Sequence, residues 1–324
     1  MRRIRLTQFG PPDVLQLEEV ADPTPGPGQV LINVEFAGVT FVETQVRAGR
    51  PPWSGPLPPT PYFPGNGVEG VISAVGSDVD PSLVGNRVVS PTGGSGGYAD
   101  RVVVNQAMVI PVPDATPAGD AVALLADGRT ALAVLRASRL AKDEVVLVTA
   151  AAGGVGGLLV QLAVSAGASS VIAVAGGQRK CEHASSLGAD VTIDYREQGW
   201  TEQLKKTVEG QGLNVVFDGV GGEAGRSIFD IAPPLSRISA FGMASGSYTD
   251  ASVRDIVLRG VTVVGGAQLR SPSESNTLSA AALAQAAEGR LKPVIGQIFP
   301  LERAADAHAA VEGRDVIGKT LLSC

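Results

Sequence analysis

The run Ala150-Ala151-Ala152-Gly153-Gly154-Val155-Gly156-Gly157 is where residue type most narrowly limits the chemistry of this chain. Ala151, Gly153 and Gly156 hold the spacings of a small-x-small-x-x-Gly fingerprint, with alanine in place of the first glycine. Side chains this small let backbone N–H groups close on a pyrophosphate, an approach that a larger Cβ would block. Gly154 and Val155 complete the bend. The helix expected to start there aims its unpaired amides and the positive end of its dipole at the phosphates. The chemistry on offer is dinucleotide binding.

A second group refines it. After Val174-Ala175 the chain reads Gly176-Gly177-Gln178-Arg179-Lys180, and no Asp or Glu occurs from Ser165 to Cys181. An acid at that place would bind the free hydroxyls of an adenosine ribose, whereas a 2′-phosphate attracts Arg179 or Lys180. The expected cofactor is therefore NADPH. Trp53 and Tyr62 form a third group, in a stretch with seven prolines between positions 51 and 64. So many prolines exclude a helix or a central strand and predict a stiff surface loop. Its two rings either anchor that loop or cover a planar substrate.

These groups need elements that hold them. Val145–Val148 is a short β-branched run that reads as a buried strand, and Leu158, Leu159, Val160, Leu162 and Ala163 give the next helix its apolar face. A helix is expected over 121–135. Strands follow over 145–148, 171–174, 191–193, 213–217, 237–241 and 261–264, with helices to about 166 and over 178–187, 201–209 and 223–231. Six strands joined largely by helical crossovers predict a doubly wound parallel sheet. Residues 1–120 read as mostly β, punctuated by Pro-Gly clusters. Strands are expected near 2–8, 14–20, 29–36, 68–75, 87–90 and 98–104, with one short helix over 40–48 presenting Phe41, Val42 and Val46. Strands so short and close suggest a small barrel-like domain. The last stretch predicts a helix over 280–289, a strand over 294–299, a helix over 304–312 and a strand over 319–322. It is expected to return to the first domain. The domains are thus 1–120, 121–265 and the return segment 266–324.

Composition excludes several classes. A net charge of −6 argues against nucleic acid as a partner. No run of 18 apolar residues is present, so no membrane span is expected, and no signal-type apolar segment follows the basic start. The expected location is the cytoplasm. Two cysteines, Cys181 and Cys324, and two histidines, His183 and His308, leave neither a disulfide framework nor a Cys- or His-rich metal site.

The chain resembles the medium-chain dehydrogenase/reductase superfamily, and within it the zinc-independent quinone oxidoreductases related to zeta-crystallin. The resemblance is carried by Gly38-Val39-Thr40-Phe41-Val42-Glu43-Thr44, Phe63-Pro64-Gly65 running to Gly70, Val75-Gly76 and Gly85-Asn86-Arg87-Val88. Further on it is carried by Ala150 to Gly156, Asp194-Tyr195-Arg196-Glu197, Phe217-Asp218-Gly219-Val220-Gly221, Phe241-Gly242 and Gly318-Lys319-Thr320-Leu321. It implies an α/β protein: a GroES-like β-rich catalytic domain plus a Rossmann domain, often a homodimer joined through the cofactor domains. By position, Lys180 and Tyr195 would contact the 2′-phosphate and Gly153 to Gly156 would cradle the pyrophosphate. Phe241 and Gly242 would flank the nicotinamide end, with Thr130 near its ring. Zinc alcohol dehydrogenases share the fold, but here Thr40 stands at the Cys position and Asn66-Gly67 at the His-Glu pair, so no metal is expected. The family often has Asn at the Thr40 position and Tyr at the Gln45 position, both facing the substrate.

The activity this implies is hydride transfer from NADPH to a quinone or an α,β-unsaturated carbonyl. Charge then develops on the substrate oxygen, and Thr40, Gln45 and Thr130 are candidate donors to it. Neither Thr nor Gln is an acid near neutral pH, so the proton is expected from water. Two other functions fit the same residues: an enoyl-thioester or natural-product tailoring reductase, and a non-catalytic nucleotide-binding protein of the crystallin kind.

Overall fold

Short alternating segments open the chain. β1 (Arg2–Arg5) pairs antiparallel with β2 (Gln16–Glu19). The second strand starts later than its apolar pattern suggests, because Pro12–Val14 turns as a 3-10 helix with proline at its first position. Then come β3 (Gln29–Val39), α1 (Phe41–Arg47), β4 (Gly67–Val75), β5 (Arg87–Pro91), β6 (Arg101–Asn105) and β7 (Ile110–Pro111). α2 (Asp120–Ser138) leads into β8 (Val145–Thr149), α3 (Gly154–Ser165), β9 (Ser170–Ala175), α4 (Gln178–Ser186) and β10 (Val191–Asp194). α5 (Trp200–Gln211), β11 (Val215–Asp218), α6 (Gly222–Ile231), β12 (Arg237–Ala240), α7 (Val253–Arg259) and β13 (Thr262–Val264) follow. α8 (Pro272–Ala287), β14 (Ile295–Pro300), α9 (Ala304–Glu312) and β15 (Lys319–Ser323) end the chain. The computed structural model describes residues 1–53, 55–265 and 271–324, so residue 54 of the proline-rich loop and the start of the expected return segment, 266–270, lie outside the described residues.

Two units emerge: residues 1–126 with 279–287 and 293–324, and residues 127–278 with 288–292. In the first, one sheet runs β14-β15-β3-β4-β5-β7, with β6 also paired to β3. β15 lies antiparallel on β3, from Thr320 opposite Val39 to Ser323 opposite Phe36. Ile4, Leu6, Ile32, Ile72, Val88, Tyr98 and Leu322 fill its core. In the second, six strands run parallel in the order β10-β9-β8-β11-β12-β13. Strand order reverses at β8, and ligands of doubly wound sheets bind at the carboxyl ends of strands flanking such a reversal. Its core is aliphatic, built from Leu147, Ile172, Val174, Val216 and Ile238 with Phe229. Among the described residues, no helix is long and apolar enough to cross a membrane.

Three helices depart from expectation. α8 starts eight residues before Ala280 because Ser271 caps it: Ser271 Oγ accepts from Glu274 N at 3.2 Å and Glu274 Oε2 accepts from Ser271 N at 3.1 Å. α7 was not foreseen; Ser252 caps it through Asp255 N at 3.0 Å, while its Val253, Val257 and Leu258 stay exposed and give no inward apolar face. α1 has about the expected span, but polar residues share its buried face. Val42 is 43% exposed, whereas Glu43, Thr44, Gln45 and Arg47 are buried with Val46.

Candidate active site

In the second unit, β8 delivers the chain into the small-residue bend. Ala150 takes φ +49°, a left-handed turn that a β-branched residue would resist. Gly153 caps α3, whose first amides have no intrahelical acceptor. Gly156 is needed for close packing: a Cβ there would lie 2.1 Å from the carbonyl oxygen of Ala150. Gly153 is less crowded, its Cβ position being 3.2 Å from the same oxygen. Ala151 is fully buried under the bend, while Gly154 and Val155 are half-buried. A residue not foreseen stands there. The Asp127 carboxylate of α2 lies 2.0 Å from the Cβ position of Gly154, against the start of α3, where negative charge is favoured.

Beside it, β9 ends at Ala175 and Gly176 follows. A Cβ on Gly176 would lie 2.5 Å from the Tyr195 hydroxyl, so the tyrosine seats directly on that glycine. Arg179 is exposed and Lys180 half-buried, both in the first turn of α4. Parallel pairing of β10 with β9 adds two residues that the linear sequence hides. Asp194 Oδ1 accepts from Gly177 N at 2.8 Å and Arg196 N at 2.9 Å, and Arg196 Nη1 is 3.5 Å from the Cβ position of Gly177. An acid therefore does stand near the end of β9, engaged by two amides, and a third cation joins Arg179 and Lys180.

The next two strands bring a tight pair of loops. Buried Asp218 ends β11; its Oδ1 accepts from Thr149 Oγ1 at 3.0 Å, Val220 N at 3.0 Å and Gly221 N at 3.1 Å. Thr149 Oγ1 accepts in turn from Gly219 N at 2.8 Å. The Phe241 ring lies on Gly219, 2.5 Å from its Cβ position, and Gly242 packs on the Gly219 carbonyl. Thr130 is half-buried on the part of α2 that belongs to this unit, one turn from Asp127.

In the first unit, Thr40 caps α1 in a capping box with Glu43. Its hydroxyl donates to Glu43 Oε2 at 2.9 Å and accepts from Glu43 N at 3.3 Å, so its one proton is engaged. Gln45 is 6% exposed and its Nε2 donates to Thr44 Oγ1 at 3.1 Å. Tyr62 exchanges backbone hydrogen bonds with Leu6 and donates its hydroxyl to Gly94 O at 2.8 Å; burial pushes that hydroxyl up to about 12. It is thus an anchor of the proline-rich loop. Trp53 is 47% exposed. Thr40, Asn66 and Gly67 offer zinc neither thiolate nor imidazole nor carboxylate, and among the described residues no group of three His, Cys, Asp or Glu side chains is placed to hold a metal ion.

Sequence reasoning passed over Glu43, the hub of this cluster. Fully buried, it accepts from Thr40 N at 2.7 Å and Asn66 N at 2.7 Å, and from the Tyr98 hydroxyl at 3.3 Å. Burial pushes its carboxyl above the usual range, against the pull of Thr40, Lys319 and Asn66. Its signal was in the sequence, as a Thr-x-x-Glu capping pattern.

Two family matches correspond to these two folds: "Alcohol dehydrogenase GroES-like domain" over residues 26–114 and "Zinc-binding dehydrogenase" over residues 154–285. A GroES-like domain joined to a Rossmann sheet is the architecture of the medium-chain dehydrogenase/reductase superfamily. The quinone oxidoreductase of Sus scrofa is 32% identical over 326 residues, covering 99% of this chain and 97% of that protein. That of Pseudomonas aeruginosa is 30% identical, covering 99% of each. The crystal structure of the Escherichia coli quinone oxidoreductase complexed with NADPH matches with a TM-score of 0.90 at 28% identity over 100% of both chains. The chain belongs to the quinone oxidoreductase family.

Proposed function

We propose that this protein transfers hydride from NADPH to a quinone or an α,β-unsaturated carbonyl without a metal. The observation that carries the reading is the carboxyl edge of the second sheet. There the bend closed by Gly156 follows β8, while Arg179 and Lys180 follow the neighbouring strand β9 and Arg196 follows β10 beside it. The bend and the start of α3 suit a pyrophosphate, and the cations with Tyr195 suit a 2′-phosphate. The NADPH carried by the E. coli relative supports the same cofactor here.

Bound NADPH supplies the hydride. The protein's part is to hold and orient. The Asp218–Thr149 pair fixes the loop on which Phe241 and Gly242 rest, at the proposed nicotinamide end. Thr40, Gln45 and Thr130 are the proposed donors toward the substrate oxygen, and Trp53 a ring for a planar substrate. With Thr, Asn and Gly at the positions where zinc relatives place their ligands, donors replace Lewis-acid polarisation. Steady-state reduction of a panel of quinones and enones with NADPH tests this; no turnover with any member rejects it.

We also propose a homodimer joined through the second unit. β13 is an end strand of the sheet, and beside it Leu235, Val253, Val257 and Leu258 are 70–79% exposed. An end strand with apolar side chains exposed beside it suits a second copy of the same edge.

A further inference from the structure

The Thr40 hydroxyl presents a conflict. The proposed chemistry needs its proton for a substrate oxygen, yet the proton points at Glu43 Oε2. The surroundings of Glu43 show how this resolves. Each carboxyl oxygen meets one backbone N–H that can only donate: Thr40 N at Oε2 and Asn66 N at Oε1, both at 2.7 Å. The remaining contacts of Oε2 are hydroxyls, Thr40 Oγ1 at 2.9 Å and Tyr98 OH at 3.3 Å. A hydroxyl can donate or accept. This arrangement therefore accommodates the ionised carboxylate, with Thr40 donating, and equally the carboxylic acid, with Oε2–H donating to Thr40 Oγ1.

We propose that Glu43 is a positioning residue that sets the direction of the Thr40 proton. Ionised, it accepts the Thr40 hydrogen bond; protonated, it donates to Thr40 Oγ1 and leaves the Thr40 hydrogen for the substrate. The inference rests on the reading that Thr40 faces the substrate. The step balances. Hydride brings two electrons and one hydrogen to the substrate, and the oxygen that gains charge takes the Thr40 proton as that O–H bond breaks. Thr40 Oγ1 takes the Glu43 proton, Glu43 is left ionised, and water restores its proton after product leaves. Threonine need not be an acid, since the acid stands behind it.

The charged and titratable groups around Glu43 are few. Tyr98 and Tyr62 are phenols held above their ordinary range by burial. Lys319 on β15 draws the Glu43 carboxyl down while burial pushes it up more strongly. His308 on α9 reaches Glu43 only through Tyr98, at 3.1 Å, and burial, with Arg47 adding, keeps it neutral at about 3. Within this cluster of hydrogen-bonded side chains, Glu43 is thus the one carboxylic acid.

The test is the pH profile of kcat/KM for NADPH-dependent quinone reduction. The expected result is a fall of about tenfold per pH unit above one ionisation lying above the usual carboxylate range. Thr40→Val should lower kcat/KM by about 10²-fold and abolish that limb, and Thr40→Ser should restore both. Lys319→Met removes the cation that favours ionised Glu43, so its limb should move to higher pH. A flat wild-type profile, an unchanged limb in Thr40→Val, or an unmoved limb in Lys319→Met overturns the proposal while leaving quinone reduction intact. Absence of turnover in the wild type overturns the functional reading and this inference with it.

Discussion

Gly153 and Gly156 sit in one bend, yet an added methyl at each meets the Ala150 carbonyl oxygen at a different distance. At Gly156 it strikes the Ala150 carbonyl at 2.1 Å, a backbone atom that cannot rotate away; at Gly153 the nearest atom is 3.2 Å distant. Gly156→Ala should therefore destabilise by roughly 2–3 kcal/mol and weaken NADPH binding at least tenfold, with Gly153→Ala much milder in stability. Calorimetry and NADPH titration of both variants check the contrast, and equal losses would contradict it. At this scale the bend was legible because its glycines are neighbours in sequence. Asp127, Asp194 and Glu43 were not singled out. Asp127 and Asp194 act on residues that only the fold brings near, and Glu43 looked like one more polar residue on a short helix. Thr40 and Gln45 were legible as donors but not as already engaged ones, since hydrogen-bond partners are a property of packing.

The elements divide the same way. The parallel strands β8, β9 and β11 were readable because strands buried on both faces become continuous apolar, Val-rich runs. α7 was passed over although Val253, Ile256 and Val257 stand at helical spacing, because a seven-residue helix is too short for that pattern to repeat. The first turns of α8 were marked only by Ser271-Pro272-Ser273-Glu274, a cap and N1 proline that say where a helix starts without saying what it packs on. The outward face of α7 carries an expectation of its own. If it and β13 join two copies, Val257→Asp with Leu258→Asp should shift the protein to monomers in sedimentation velocity, with the far-UV spectrum unchanged. A wild type that sediments as a monomer at micromolar concentration would contradict that interface.

At the scale of the whole molecule, buried His308 and half-buried Asp120 set opposing slopes of stability against pH. His308 is held down to about 3, mainly by burial. Between that value and its unfolded pKa near 6.5, the unfolded chain binds the extra proton, so stability is full above pH 6.5 and is lost on acidification, by an amount on the order of 5 kcal/mol. Asp120 is raised to about 6 by burial and by neighbouring Glu69. Between its unfolded value near 4 and 6 the folded chain holds the extra proton, so this group's contribution falls as pH rises. Asp120→Asn should therefore raise the Tm at pH 7 and leave it unchanged near pH 4; a Tm lowered at pH 7 would contradict the assignment. Metal-free hydride transfer from NADPH is measured by the ratio of kcat/KM for NADPH over NADH with one quinone, in chelator-treated wild type beside Arg179→Ala/Lys180→Ala. The expected result is full turnover after chelation, a strong preference for NADPH, and a preference cut at least tenfold in the double variant, with NADH kinetics little changed. Activity abolished by the chelator, or a wild type that favours NADH, would contradict it.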